Sequence, residues 1–139
     1  MDDPTKWIDV LLARVVLQDE SDQQNLYLKE RSGKRGFAIL IGTSEAAEIQ
    51  RVLAEVEVQR PLTHQLLFEA VTALGARLTE VRIVALERST FFARLVLSPT
   101  PGELVEVDAR PSDAIALALR ARCPIRVAEE VMRDASTTG

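Results

Sequence analysis

The sequence is poor in the side chains that most often announce chemistry. Among its 139 residues there is one cysteine and one histidine. A lone Cys123 excludes an intramolecular disulfide and any cysteine-built zinc cage. It lies in RARCPI, where a small buried hydrophobe is a commoner role than a nucleophile. Aromatic residues make up only 4% of the chain. Phe91 and Phe92 are adjacent and offer rings for stacking a base, but in a strand one of the two must face inward. An excess of basic residues is also missing: Lys and Arg number 17 against 21 Asp and Glu, a net charge of −4. That sign excludes gripping nucleic acid by bulk charge, so any phosphate binding has to come from a local patch. No apolar run reaches the length of a membrane span. The opening MDDPTK is acidic and lacks the apolar core of a signal peptide. No membrane partner and a cytoplasmic location are therefore expected. There is no HExxH helix, no glycine-rich phosphate loop and no nucleophile elbow.

What is present is an ordinary globular composition, 47% hydrophobic and 27% charged. The length suits one domain, with a core from about residue 7 to residue 133. WIDVLLARVVL (7–17) and the alternating NLYLKE (25–30) read as a hairpin, RSGKRG as a turn and FAILIG as a short apolar strand. Thr43 or Ser44 is placed to cap a helix in which Ile49, Val52, Leu53 and Val56 share a face. A second helix begins at RPLT, with Leu67, Ala70, Val71 and Leu74 at the same spacing and Gly75 after its end. Three strands follow, LTEVRIVALE, TFFARLVLS and ELVEVD, turning at Arg88-Ser89 and at Pro99-Thr100-Pro101-Gly102. A third helix, the short strand PIRV, the helical AEEVMRD and a frayed STTG complete the chain. The expectation is an α+β fold: one compact domain of two three-stranded antiparallel units, three main helices and a short C-terminal helix.

The third helix opens the most informative run, DARPSDAIALALR, from Asp108 to Arg120. Pro111 suits the first helical position, where its missing N–H costs nothing. Asp113 falls third, where a carboxylate can bond back to the cap and favour the positive helix end. AIALALRA is apolar on nearly every face, so this helix is predicted to be buried. Arg60-Pro61-Leu62-Thr63 echoes Arg110-Pro111-Ser112-Asp113: both set Arg-Pro at a helix start with a polar group behind. Two such corners, converging, would offer free N–H groups and two guanidinium forks to an anion. Plain capping accounts for any one of these residues taken alone.

His64 stands in the first turn of the second helix and shares a face with Leu67, Phe68 and Val71. That address fits either a partly buried structural ring or a general base beside Arg60 and Thr63. Glu45, Asp108 and Asp113 each sit at a strand end or helix start. Magnesium or manganese needs only one or two carboxylates plus substrate phosphate, so Asp108 and Asp113, with Glu45, are candidate ligands. Lys29, Arg31, Lys34 and Arg35 form a basic turn, more often solvated than functional.

IGTSEAAEI, RPLTHQLL, TFFARL and above all DARPSDAIALALR followed by PI resemble the bifunctional nuclease domain family over nearly the whole chain. The resemblance implies one compact α+β domain, self-association and cleavage of both DNA and RNA. Members of that family usually carry Trp where Leu40 stands, Pro where Ala38 stands and Asp where Gln65 follows His64. Without that acid, His64 has no orienting partner beside it in sequence. The first functional expectation is a metal-assisted phosphodiesterase. In it His64, Asp108, Asp113 and Glu45 carry the chemistry, and Arg60, Thr63, Arg110 and Ser112 hold phosphate. The second, of a different class, is a non-catalytic module that binds an anionic ligand or packs a subunit interface.

Overall fold

Alternation along the strands decides which side of each meets the helices. In the computed structural model, which describes residues 4–18 and 20–136, eleven elements follow in order. They are β1 (Trp7–Val16), β2 (Gln23–Glu30), β3 (Gly36–Gly42), α1 (Thr43–Leu53), α2 (Thr63–Ala73), β4 (Ala76–Glu87), β5 (Thr90–Pro99), β6 (Val105–Ala109), α3 (Pro111–Ala121), β7 (Ile125–Ala128) and α4 (Glu129–Ala135). Residues 137–139 of the tail expected to fray lie outside the described residues. The α+β expectation holds, as do the two antiparallel units β1–β2–β3 and β4–β5–β6. They do not stand apart, however. β7 pairs antiparallel with β1 and parallel with β4, giving one mixed sheet in the order β3-β2-β1-β7-β4-β5-β6.

Register then sorts the side chains. Val10 lies opposite Ile125, Ile83 opposite Val127 and Val81 opposite Leu95, and all six join one buried cluster with Ala114–Ala118 of α3 and Val131 and Met132 of α4. Displacing water from these inward faces is the main stabilising term. The opposite face carries charge: Asp9 opposes Arg126, and Arg94 opposes both Arg82 and Asp108. There Arg126 donates to Asp9 Oδ1 at 2.8 Å and to Glu80 Oε1 at 2.9 Å.

The sheet curls strongly. Phe37 of β3 stacks on Phe91 of β5, ring centroids 5.2 Å apart, although β2, β1, β7 and β4 separate those strands in the sheet. Phe91 is thus the inward member of its pair and Phe92, 38% exposed, the outward one. The curl carries edge strand β3 up to the tip of the β4–β5 hairpin, the two-residue Arg88-Ser89 turn with both φ positive, 50° and 66°. It also brings the start of α3 beside the end of β3.

Three helix expectations need correcting. Neither Thr43 nor Ser44 is the N-cap of α1; Gly42 is, because Thr43 already lies inside the helix, its hydroxyl donating to the Asp22 carbonyl. Val56 lies beyond that helix and Leu53 is exposed, so the inward face is Ala46 and Ile49 with Glu48. α2 ends before Gly75, which has φ +84° as expected, yet none of its residues is fully buried. His64, Phe68 and Val71 form its inner side, while Leu67 and Leu74 face out. α3 is the buried helix predicted, with Pro111 in its first turn. The basic turn is not free: Arg35 donates to both carboxylate oxygens of Glu30 and both of Glu129, tying the β2–β3 turn to α4. Burial pushes the Cys123 thiol up to about 11, so it is neutral and unreactive near pH 7.

Candidate active site

Three helices start within reach of one another. His64 is the second residue of α2, Asp113 the third of α3 and Glu45 the third of α1. The first turn of each helix leaves N–H groups without helical partners, and the dipole makes that end positive. The side chains complete the meeting. His64 Nε2 stands 2.7 Å from Asp113 Oδ1, a bond between residues 49 positions apart. Arg110 donates Nε to Asp113 Oδ2 at 2.8 Å and Nη2 to Asp113 Oδ1 at 3.3 Å. The same Nη2 lies 3.4 Å from Glu45 Oε1. A continuous chain therefore runs His64–Asp113–Arg110–Glu45.

Asp113 does not bond back to its own helix cap, as the sequence suggested; both its oxygens are spent on His64 and Arg110. Burial pushes its carboxyl up, but hydrogen bonds from Arg110 and then His64 outweigh that and hold it below the ordinary value. It is an anion at neutral pH and can only accept. The proton in the His64 contact therefore sits on Nε2, which leaves Nδ1 with the lone pair in the neutral ring. The Asp113 bond raises the affinity of Arg110 for its proton, and the guanidinium is 67% exposed, open to an incoming anion.

Glu45 folds back over Gly42 so closely that a side chain at 42 would collide with its carboxylate. A side chain at 42 would push that flexible carboxylate aside, at little cost to the backbone.

The other candidates divide. Ser112 is 7% exposed and lines a cleft beside Arg110. Thr63 is exposed at the start of α2, adjacent in sequence to His64, and Arg60 is exposed in the segment before it. Asp108 is not brought to the cluster. It opposes Arg94 on the charged side of the sheet, whereas Val107, opposite Leu95, points to the helix side. Strand alternation thus turns Asp108 away from Asp113. Among the described residues no three His, Cys, Asp or Glu side chains gather as a metal cage. With Asp113 fully engaged, Glu45 is the carboxylate best placed to help hold a divalent ion.

Sequence reasoning missed the cleft. It encloses about 660 Å³ between residues 38–42 of β3, the β4–β5 hairpin tip and the first turn of α3. Only the apolar run FAILIG ending in glycine hinted at an edge strand beside a helix start.

Fold and cluster together define a one-sheet α+β domain with an acid–histidine pair where three helices begin. The chain belongs to the bifunctional nuclease domain family, whose model matches residues 26–138. It is 42% identical over 127 residues to uncharacterized proteins from two strains of Mycobacterium tuberculosis, covering 91% of this chain and 75% of theirs. It is also similar to bifunctional nuclease 1 of Arabidopsis thaliana, 35% identical over 81 residues, 57% of this chain and 25% of that protein. A bifunctional nuclease 1 of Oryza sativa subsp. indica is 25% identical over 114 residues, 80% of this chain and 34% of that protein. The chain thus spans between a quarter and about a third of these plant relatives. No helix among the described residues is long and apolar enough to cross a membrane.

Proposed function

We propose that the chain hydrolyses phosphodiester bonds of DNA and RNA at the His64–Asp113–Arg110 cluster. The observation that carries this reading is the 2.7 Å contact between His64 Nε2 and Asp113 Oδ1. An ionised carboxylate behind an imidazole fixes its tautomer and stabilises the imidazolium formed when the ring takes a proton. In the proposed reaction Nδ1 of His64 accepts a proton from water as the water oxygen bonds to phosphorus. The P–O bond to the leaving nucleoside oxygen breaks, and that oxygen is protonated by solvent or by the imidazolium. Arg110, charged and exposed, hydrogen-bonds the phosphate oxygens, where negative charge grows. Water as nucleophile makes no use of a ribose 2′-hydroxyl, which is what acting on both polymers requires.

Two carboxylates against one guanidinium leave the cluster unwelcoming to a phosphate unless a cation joins it. Glu45, with water and the substrate phosphate, is the sparse donor set that magnesium or manganese accepts. Such an ion would neutralise phosphate charge. The acidic cluster also favours a second reading, a non-catalytic module for a ligand that carries its own cation. Self-association belongs to the proposal as well: Leu66 of α2 and Leu74 just past its end are 58% and 86% exposed, an apolar surface suited to a second copy. Sedimentation giving only monomer at micromolar concentration would remove that part.

The test is cleavage of DNA and RNA oligonucleotides with magnesium or manganese, then with chelator, by the natural chain and by His64→Ala. Cleavage that needs the ion and falls at least 100-fold in the variant, with an unchanged circular dichroism spectrum, is expected. Equal cleavage by both proteins would remove His64 from the reaction, and no cleavage by either would favour the binding module.

A further inference from the structure

The cleft beside the cluster has features that the proposed hydrolysis does not use. Its volume, about 660 Å³, lies within the roughly 300–1,000 Å³ typical of small-ligand sites. One wall is five consecutive residues of β3, Ala38 to Gly42. β3 is an outer strand of the sheet, paired among the described residues with β2, and the cleft lies along residues 38–42 of it. Leu40, Leu86 and Phe91 give apolar surface, and Leu40 is 61% exposed. At the far end stands the start of α3, an 11-residue helix, with Arg110 and Ser112. Ser112 is 7% exposed and lines the cleft. A serine hydroxyl can both donate to and accept from a ligand held there.

We propose that this cleft is a single-nucleotide subsite. The base of one unpaired nucleotide lies on Leu40, Leu86 and Phe91, with its edge hydrogen-bonded to the main chain of residues 38–42. Its phosphate rests at the start of α3 on the Ser112 hydroxyl, the unpaired N–H groups of Ser112 and Asp113, and Arg110. The chemistry matches part by part. A flat ring with an apolar face and a polar edge suits a wall whose side chains are apolar and whose main chain is polar. An anion suits a helix start. A base held in a stacked duplex cannot enter, so the site takes single strands, ends or extruded bases. This inference rests on the proposed phosphodiesterase reading, because Arg110 would serve both the subsite and the scissile phosphate.

The first measurement uses a nucleoside 5′-monophosphate, which has no diester to cleave and reports binding alone. Titrated into the ¹⁵N-labelled chain with magnesium, it should shift the amide signals of residues 38–42, 112 and 113. Ala38→Trp, which obstructs the cleft, and Leu40→Asp, which charges it, alter exposed positions; each should weaken binding at least tenfold. The second measurement is cleavage of one oligonucleotide sequence as a single strand and as a duplex. The single strand should be cut at least tenfold faster by kcat/KM, and both variants should erase most of that preference. Shifts confined to other residues, or variants that bind the monophosphate as the natural chain does, would overturn the subsite. Nucleotide binding in the cleft without cleavage by any form would spare the subsite and sink the hydrolase. Cleavage indifferent to strandedness, with no monophosphate binding, would do the reverse.

Discussion

Asp113→Asn is expected to lower kcat for phosphodiester cleavage by about 10²–10⁴-fold, with KM nearly unchanged and the fold intact. Asparagine keeps the shape of the side chain and removes its charge. Ionised Asp113 can only accept, so it dictates that Nε2 of His64 holds the proton and that Nδ1 is basic. An amide can present either its carbonyl or its NH₂ group, and the second choice selects the opposite tautomer. Whichever way it turns, the imidazolium formed in the reaction loses its counter-charge. The contact to Arg110 weakens too, but that guanidinium is 67% exposed, and pairs so open to water contribute little to stability. A melting temperature close to that of the natural chain, beside a collapsed kcat, separates this outcome from unfolding. His64→Ala and the double variant should be no worse than the more damaging single one, because the two groups act as a unit. A fall in kcat that is instead additive, or absent, would mean the pair only holds α2 to α3. Asp113 is held below its ordinary value of 3.8, so an acid limb in the rate profile above about pH 5 would report another group.

The start of α3 was legible because its signals are local. Pro111 can occupy a first turn without loss, and the alanine-rich apolar stretch behind it could only be a buried helix. The antiparallel units were legible from alternation and turn residues. What joins those units was not. β7 is four residues long and lies far along the chain from the β1 and β4 it separates, and nothing in IRVA states its partners. The site failed and succeeded for the same reason. The sequence has Gln65 beside His64, so no acid stood next to the histidine; the acid comes instead from α3, because the starts of α2 and α3 meet. Asp108 and Asp113 looked like one metal-binding pair, being five positions apart, but Asp108 is next to last in a strand whose register points it through the sheet, away from the helices. That direction depends on the pairing of Val107 with Leu95, which no short-range pattern contains. Glu48 looks in the sequence like any solvated acid near a helix start. Its burial beneath two arginines depends on α1 lying against α3, again a long-range fact.

Glu48→Ala is expected to destabilise the fold by about 3–5 kcal/mol, the range for removing one member of a buried ion pair. For a chain of this length that is a drop in melting temperature of roughly 10–20 °C. Glu48 is 2% exposed. Its Oε1 receives Arg120 Nη2 of α3 at 2.9 Å and its Oε2 receives Arg51 Nη2 of its own helix at 2.8 Å. The Nε atoms of both arginines are buried without partners, so neither guanidinium has protein acceptors to spare once the carboxylate is gone. Burial pushes the Glu48 carboxyl up, while the bonds from Arg120 and then Arg51 outweigh it and hold the group below its ordinary 4.5. A carboxyl depressed on folding stabilises the protein at pH values above its unfolded pKa. That contribution shrinks as pH falls below about 4.5 and is gone once pH passes the lower folded value. Denaturant midpoints should therefore fall with acidification in the natural chain and change less over that window in Glu48→Ala. Replacing Glu48, Arg51 and Arg120 together by apolar residues of similar size should recover most of the loss, since burying the carboxylate and parts of two guanidinium side chains carries its own desolvation cost. A triple variant as unstable as Glu48→Ala would mean the network contributes net stability rather than specifying how α1 and α3 meet. That meeting matters for the chemistry, because Glu45 lies one turn before Glu48 on α1, and Arg110 immediately precedes α3, the helix that Glu48 clamps.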